Sequence, residues 1–377
     1  MNKCVQNTET RNGPSVDTQL SCKRVLKCDP PNASPAIAAW IAPAIDDSSR
    51  SRRPLTLNQL PTLAKTPAKQ PIASICRFEL TGGLGMACLY SQFMSIAFYK
   101  MNGLGNDFVV IDARERPVAF SAEAARRIGD RHRGVGFDQL LSIEPSKGAG
   151  DAIMRIWNPD GSAAQACGNG ARCVGDLLLT QSGKPSIALS TPGGLIRCSR
   201  ETDGRVTVDM GEPKLDWQDI PLAERMDTRT LDIKVGPIDA PVLFGPSAVN
   251  MGNPHCIFFV ENVDAHDLRK FGPMLEHHPL FPDRANISIA QVKSKGEIRL
   301  RVWERSAGLT QACGSAACAT AVASARKRLT DRRVHIELDG GPLEIFWRED
   351  NHVLMTGATE LNFTGTLDDR YFARTAS

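Results

Sequence analysis

The pattern of apolar and polar positions divides the chain into two unequal parts. Residues 1–93 contain nine prolines and show neither the 3.6-residue period of an amphipathic helix nor the sustained alternation of a strand. From Met94 the pattern changes at once, and Ser95–Lys100 predicts a first strand. We therefore expect residues 1–93 to be a disordered or non-native leader, with Met94 as the start of the folded protein.

The composition of residues 1–93 leaves an organellar transit peptide as an alternative. This leader carries 11 Lys and Arg residues against 6 Asp and Glu residues. A secretory signal is excluded, because the apolar stretch comes late and is interrupted by Pro35 and Pro43. The sequence also contains no run of about 18 apolar residues, which argues against a transmembrane helix.

The charge and the cysteines narrow the class of protein further. The net charge is +3, and because the leader contributes 11 − 6 = +5, the remaining residues have a net charge of −2. This balance does not favour nucleic acid as a partner. The chain has 11 Cys residues and no C-x-x-C pair, which is typical of free thiols in a reducing compartment. We expect a cytoplasmic protein that binds neither nucleic acid nor membranes.

An internal repeat is the clearest feature after the leader. Residues 154–171 align with residues 300–317 at an offset of 146, with 7 identities in 18 positions. A similar offset relates paired glycines and amide residues outside this segment, which predicts two copies of one domain. A single domain with a locally repeated loop is the alternative. The predicted domains are residues 94–213 together with 359–377, and residues 214–358.

Each copy shows the same order of elements. A β-rich run leads through a loop of small residues into a helical segment near a repeated Cys, and then into two strands joined at paired glycines. The second helical segment, Cys313–Ala325, is small or apolar on every side, which is typical of a helix buried all round. We predict an α+β fold in which each copy wraps a mixed, barrel-like sheet around a central helix, with the active site in the cleft between the copies.

The repeated cysteines, Cys167 and Cys313, stand at the predicted starts of the two buried helices. Free backbone N–H groups and the positive end of the helix dipole favour an anion there. We therefore expect a lowered pKa for both thiols. Two facing thiols can remove a proton from one face of a carbon and return a proton to the other. This arrangement predicts an amino-acid racemase or epimerase that needs no cofactor.

Seven motifs in the same order make the chain resemble the diaminopimelate epimerase family over residues 97–365. The resemblance implies interconversion of LL- and meso-2,6-diaminopimelate in lysine and peptidoglycan-precursor synthesis, by an enzyme that forms a homodimer. Neither a cofactor nor a metal is expected. The motifs are Lys100–Phe108, Gly136–Leu140, Asn158–Ser162, Cys167–Cys173, Gly252–Cys256, Glu304-Arg305 and Ala312–Ser315.

The resemblance also implies the roles of individual residues. Cys167 and Cys313 are implied as the acid and base, and His255 and Glu304 as residues that tune or stabilise the thiolate. Arg305, expected to be buried, grips the distal carboxylate, because its planar fork matches a carboxylate. The backbone at residues 168, 169, 314 and 315 holds the carboxylate at the reacting carbon. The implied substrate-binding residues are Asn106, Gln139, Asn158, Gly168, Asn169, Asn253, Asn286, Glu304, Arg305, Gly314 and Ser315.

Some residues near these motifs depart from the family or are interpreted without a role. Ser306 stands where a glycine is expected after Glu-Arg, Leu309 where many members have Glu, and Ala316 where Gly is common. We interpret these as lineage variation, because both Cys residues and the Glu-Arg pair are intact. Arg172 is interpreted as a solvated or helix-end charge.

Two other functions remain alternatives. A proline or hydroxyproline racemase-like enzyme shares the paired thiols, but its small ring substrate has no distal carboxylate for Arg305. A non-catalytic amino-acid-binding protein, or a redox-sensing thiol pair, is the alternative from a different class. The presence of Glu304 and His255 beside both thiols in the motif set argues against lost catalysis.

Deletion of residues 1–93 is expected to leave the melting temperature and the catalytic activity nearly unchanged. The leader has no periodic apolar face with which to contribute to a core. Differential scanning calorimetry and an activity assay on the full and shortened chains check this. A large loss of either quantity would show that the leader is structural.

Overall fold

The helices and strands follow the same order twice along residues 95–372, the part of the chain that this computed structural model describes. The predicted leader lies outside these residues. The elements of the first copy are β1 (Ser95–Gly103), β2 (Asn106–Asp112), α1 (Ala122–Gly129), β3 (Gln139–Pro145), β4 (Ala152–Trp157), β5 (Ala163–Ala164), α2 (Gly168–Ser182), β6 (Ser186–Thr191), β7 (Gly194–Arg200) and β8 (Val206–Asp209).

The second copy begins after two short strands, β9 (Lys234–Val235) and β10 (Leu243–Phe244), which among residues 95–372 pair only with each other. Its elements are β11 (Ser247–Asn250), β12 (Pro254–Phe259), α3 (Leu268–Glu276), β13 (Asn286–Ser294), β14 (Glu297–Glu304), β15 (Gly308–Thr310), α4 (Gly314–Arg326), β16 (Arg333–Leu338), β17 (Gly341–Trp347), β18 (Val353–Gly357) and the closing strand β19 (Glu360–Asp368).

The pairing of strands is also duplicated. β2 pairs in parallel with β3, and β4 with β6. In the second copy, β12 pairs in parallel with β13, and β14 with β16. The other pairs are antiparallel, so each copy contains a mixed sheet around one long helix, and the predicted α+β fold class is confirmed.

The two central helices are enclosed by these sheets. In α4 all residues from Ala316 to Ser324 are buried, as the absence of a polar face predicts. In α2 the first eight residues are buried, and the helix ends where Gly183 adopts the left-handed conformation at φ 67°. Both helices carry small side chains. The backbones of the surrounding strands can therefore pack close to the helix backbones at these positions.

The outer face of each sheet is covered by a shorter helix. Ala125 and Ile128 of α1 pack on Leu140 of β3, while Leu268 and Leu275 of α3 belong to the core beneath β12 and β13. Each copy therefore has three layers, with a central helix, a sheet and an outer helix. The free backbone N–H groups at the N-terminal ends of α2 and α4 are therefore polar groups next to the apolar interior.

The copies join along an antiparallel strand pair, β8 with β18. Val208 of β8 lies opposite Met355 of β18, and next to them the hydroxyls of Thr207 and Thr356 are 2.7 Å apart. One apolar core contains side chains from both central helices, among them Val174 and Val322. β8 and β18 are matched strands of the repeat, so the joint lies close to a pseudo-twofold axis.

The C-terminal strand β19 returns to the first copy. It pairs with β1 from Ser95 opposite Asp368 to Asn102 opposite Glu360, with an irregularity after Lys100. The described residues, 95–372, belong to one compact unit. The division into domains at residue 213 stays a prediction.

Replacing Gly175 of α2 with Ala is expected to destabilise the protein. Alanine normally favours a helix by about 1 kcal/mol over glycine. Here, however, a Cβ atom would lie 2.8 Å from Cβ and 2.9 Å from Sγ of Cys198 in β7. Overpacking of this kind lowers the free energy of unfolding by roughly 1–3 kcal/mol.

Chemical denaturation of Gly175→Ala measures this change. Gly148→Ala is the control, because a Cβ atom at Gly148 meets no atom within 4 Å. A stabilised Gly175→Ala protein would mean that β7 moves away from α2 without loss of packing.

Candidate active site

The two repeated thiols occupy matched positions immediately before the central helices. Cys167 is the N-cap of α2, and its Sγ accepts a hydrogen bond from the Gly170 N–H at 3.3 Å. Cys313 is the N-cap of α4, with Sγ at 3.5 Å from the hydroxyl of Ser315. Sγ of Cys167 therefore meets a backbone N–H that has no partner within its own helix, and the backbone N–H of Ala316 also acts on the Cys313 thiol.

The starts of α2 and α4 converge on Met355 of β18. A Cβ atom at Gly168 would lie 2.7 Å from Cε of Met355, and one at Gly314 would lie 2.8 Å from its Sδ. The same Cβ at Gly314 would lie 3.2 Å from Oδ1 of Asn169. The glycines that follow each cysteine therefore pack closely against Met355, and both helix N-termini lie at this side chain.

A repeated backbone hydrogen bond fixes the loop before each cysteine. The Gly193 N–H donates to the Gln165 carbonyl at 3.0 Å, and the Gly340 N–H donates to the Gln311 carbonyl at 2.8 Å. These glycines belong to the paired-glycine turns of the repeat. The turns therefore hold the backbone of the residues just before each cysteine, and so fix the position of the cysteine at the start of its helix.

Glu304 lies close to both thiols at the end of β14. Its carboxylate accepts a hydrogen bond from the Thr310 hydroxyl at 2.5 Å and another from the Cys313 thiol. Its charge also acts on Cys167. Burial raises the pKa of Glu304, although the two hydrogen bonds oppose this shift. A carboxylate here can exchange a proton with the Cys313 sulfur.

Burial controls the pKa of both thiols. It raises the pKa of Cys167 to about 11, with a further contribution from the charge of Glu304, and it raises the pKa of Cys313 well above its usual range. The prediction of a lowered thiol pKa is therefore wrong in its net direction. The Gly170 N–H does favour the thiolate of Cys167, but loss of hydration outweighs it.

His255 is placed inside the sheet of the second copy. It lies on β12 between Val249 of β11 and Asn286 of β13 and is fully buried. Neither ring nitrogen has a hydrogen-bond partner among residues 95–372. Burial, with the nearby charge of Arg305, lowers the pKa of His255 to about 3. The imidazole is neutral at physiological pH, and its predicted action on a thiolate stays a prediction.

The amide residues of the first copy form two linked pairs. Nδ2 of Asn169 donates to Oδ1 of Asn106 at 3.4 Å, and Asn106 in turn donates to Asp138. Nε2 of Gln139 donates to Oδ1 of Asn158 at 3.1 Å, while Oε1 of Gln139 is buried with no partner in the described part of the chain. An unmatched buried acceptor of this kind is suited to a ligand's N–H group.

The predicted residues of the second copy surround the end of β14. Asn286 accepts the Arg305 backbone N–H at 2.9 Å, and Oδ1 of Asn253 is buried without a partner among residues 95–372. The Arg305 side chain is exposed, and its Nη1 donates to the Asp283 carbonyl at 2.9 Å. The expectation of a buried Arg305 is therefore wrong, because the loop after β14 carries it to the surface.

Two of the residues that depart from the family pattern, Ser306 and Leu309, lie in or beside the loop that leads to Cys313. Ser306 adopts a left-handed φ of 64°, the conformation for which a glycine is favoured. Its N–H donates to the buried carboxylate of Glu276 at 3.0 Å, which also accepts Nε1 of Trp303 at 2.8 Å. Leu309 lies on β15 opposite Trp303. Glu276 thus organises the loop that leads to Cys313, and no sequence motif pointed to it.

Comparison with known proteins gives one consistent relationship. The family model described as diaminopimelate epimerase matches residues 98–215 and 247–362. A relative from Rhodopseudomonas palustris (strain BisB18), named diaminopimelate epimerase, is 53% identical over 290 residues, covering 76% of this chain and 100% of the relative. A relative of the same name from Brucella anthropi is 53% identical over 276 residues, covering 72% of this chain and 91% of its own length.

Solved structures share the fold at low sequence identity. A Bacillus anthracis phenazine biosynthesis protein of the PhzF family matches with a TM-score of 0.53 and 16% identity, over 73% of this chain and 99% of that chain. A hydroxyproline epimerase from Agrobacterium vitis matches with a TM-score of 0.52 and 16% identity, over 72% and 91%. These likenesses concern the architecture, whereas the match to the family model and the 53% identity establish that the chain belongs to the diaminopimelate epimerase family.

Proposed function

We propose that this protein is a diaminopimelate epimerase that interconverts LL- and meso-2,6-diaminopimelate. The observation that carries the proposal is the pair of thiols at N-cap positions of two converging helices. Membership of the family supports the choice of substrate. The reaction belongs to the synthesis of lysine and of peptidoglycan precursors.

The two thiols act as acid and base on opposite faces of the reacting carbon. One sulfur, as thiolate, takes the α-proton, and the other thiol gives its proton to the opposite face of the carbanion. The net result is an inverted centre, with the thiol and thiolate exchanged. Because burial disfavours both thiolates, the base has to be formed inside the site. Glu304, which accepts a hydrogen bond from Cys313, is placed to receive that proton.

The substrate carboxylate at the reacting carbon binds between the helix N-termini. Backbone N–H groups at residues 168, 169, 314 and 315 are free of partners within their helices, and the two dipoles favour negative charge. The same groups stabilise the charge that develops when the α-proton leaves. This binding requires no cofactor, because the electron pair is stabilised by hydrogen bonds and by the helix dipoles.

The distal end of the substrate is held by polar residues from both copies. The exposed guanidinium of Arg305 is suited to the second carboxylate, since its only described hydrogen bond is to a backbone carbonyl. The amide groups that complete this part of the site are Asn106, Gln139, Asn158, Asn253 and Asn286.

We also propose a cytoplasmic homodimer. The residues that support a dimer are on β19, which pairs only with β1 among the described residues, and there Leu361 and Phe363 are 51% and 52% exposed. The free cysteines of the described residues support a reducing compartment. No helix within residues 95–372 has the length and apolar character needed to cross a membrane.

A proline or hydroxyproline racemase-like activity is less well supported. The hydroxyproline epimerase from Agrobacterium vitis shares 16% identity and the fold, whereas relatives at 53% identity are named diaminopimelate epimerase. A purely binding or redox-sensing role does not need a carboxylate that accepts a hydrogen bond from the Cys313 thiol.

Cys167→Ala and Cys313→Ala are each expected to abolish epimerisation while the fold is retained. Each thiol serves one face of the carbon, so the remaining thiol cannot complete the inversion. Incorporation of solvent deuterium into LL- and meso-diaminopimelate, followed by NMR, measures both exchange and inversion. Cys198→Ala is the control, because this buried thiol packs between β7 and α2. Substantial inversion by either active-site mutant would exclude the two-thiol mechanism.

Arg305→Lys is expected to lower kcat/KM for diaminopimelate by about 10- to 100-fold, because an ammonium cannot reproduce the two-pronged contact with a carboxylate. Slow exchange of the substrate α-proton should persist, since both thiols are intact. Lysine, which lacks the distal carboxylate, should be used at least about a hundredfold less efficiently by the parent enzyme.

Steady-state kinetics of Arg305→Lys test this, with Arg269→Lys on the exposed face of α3 as a control. Equal efficiency for lysine and diaminopimelate in the parent would contradict the substrate assignment and leave the two-thiol mechanism in place.

A further inference from the structure

Arg172 is buried completely, although the sequence suggested a solvated or helix-end charge. Its side chain is 0% exposed and is the largest of the fully buried side chains in residues 95–372. Nη1 donates to Oδ1 of Asn169 at 3.0 Å, but Nε and Nη2 have no hydrogen-bond partner in this part of the chain. Because a guanidinium stays protonated in proteins, the interior of this protein contains a cation whose donors are only partly matched.

The surroundings of Arg172 are shaped to hold it without a carboxylate. A Cβ atom at Gly103 of β1 would lie 3.2 Å from Nη2, and one at Gly357 of β18 would lie 3.2 Å from Cζ and from Nε. Sδ of Met355, the residue between the helix starts, is 3.5 Å from Nη1. Within residues 95–372 no Asp or Glu forms an ion pair with Arg172, and the ionisable groups whose charge acts on it are thiols.

The internal repeat gives Arg172 no counterpart of its own kind. The offset of 146 that relates Cys167 to Cys313 relates Arg172 to Cys318, which is a buried thiol on α4. One cation therefore serves both halves of a duplicated site. Asn169, which Arg172 holds, also donates from Nδ2 to the Ala312 carbonyl at 3.2 Å. This network reaches from the first helix to the residue before Cys313.

We propose that Arg172 is a positioning residue that acts as the built-in counter-cation of the active site, fixing Asn169 between the two helix N-termini and stabilising the Cys167 thiolate and the bound carboxylate. A buried cation without an anion is unfavourable, and the proposed reaction brings two anions to this place. The inference rests on the proposed function for the identity of the substrate, whereas the action on the thiol does not depend on it.

Titratable groups on several elements face this network. Cys173 on α2 and Cys318 on α4 act on Arg172, together with Cys167. Glu304 on β14 acts on Cys167, where its negative charge and burial raise the pKa of the thiol and the charge of Arg172 lowers it. Removing the cation leaves the groups that raise this pKa in place. The thiolate fraction at any pH below the pKa then falls.

Arg172→Met tests the proposal with readouts that separate charge from packing. Methionine fills similar space without charge. The rate of Cys167 alkylation by iodoacetamide, followed by peptide mass spectrometry from pH 7 to 10, should be about tenfold lower at pH 8, as expected for a pKa about one unit higher. Epimerisation should fall at least as much. The melting temperature should not decrease, because an unpaired buried charge has been removed.

Cys318→Ala is the matched control, since it alters the same interior without altering the cation. Its alkylation profile at Cys167 should equal that of the parent. A lower melting temperature with an unchanged alkylation profile in Arg172→Met would show that Arg172 only fills space, and would overturn the proposal.

Arg172→Lys decides the question if Arg172→Met does not fold. Lysine keeps the charge and loses the fork, so the alkylation profile should stay within about threefold of the parent while kcat falls. A tenfold slower alkylation in Arg172→Lys would overturn the proposal. If Cys167→Ala were found to epimerise normally, the proposed mechanism would fail, but the effect of Arg172 on the thiol would still be measured.

Discussion

The N-terminal ends of α2 and α4 can both pack closely against Met355 only because the residues that face it, Gly168 and Gly314, have no side chain. A Cβ on either glycine would lie under 3 Å from the methionine. The small, buried residues of α4 and the first turns of α2 let the sheets close around both helices. This packing of the two helix starts determines where each thiol lies. The loops that lead to the thiols and the joint between the copies are arranged around it.

Burial gives the meeting point an unusual electrostatic character. It raises the pKa of Cys167, Cys313 and Glu304 and lowers the pKa of His255, so it favours the neutral form of every one of these groups. The helix dipoles and the guanidinium of Arg172 do not titrate in this range. The proposed site is therefore electropositive, and the amino-acid carboxylate that we propose as its ligand brings the opposite charge.

The sequence predicted the parts of this arrangement that depend on pattern. The repeat and the apolar character of Cys313–Ala325 were enough to place two enclosed helices and a thiol at the start of each. The sequence did not predict the burial of Arg172 or the exposure of Arg305, because neighbours distant in the chain decide both. Gly103 and Gly357 close over Arg172, and neither is near it in sequence. The sequence also did not predict that the pKa of Cys167 and Cys313 is raised, because this shift comes from burial by distant parts of the chain.

The pairing of β1 with β19 sets the order in which the protein can be completed during synthesis. Ser95 lies opposite Asp368. The first strand of the described chain can therefore complete its pairing only after the last strand has been synthesised. A ribosome releases β1 to β8 early, yet one edge of β1 has no partner until β19 has emerged. Such an edge is a template for unwanted pairing, and its late closure gives the fold a high contact order. A partly made chain with such an unpaired edge is prone to aggregation.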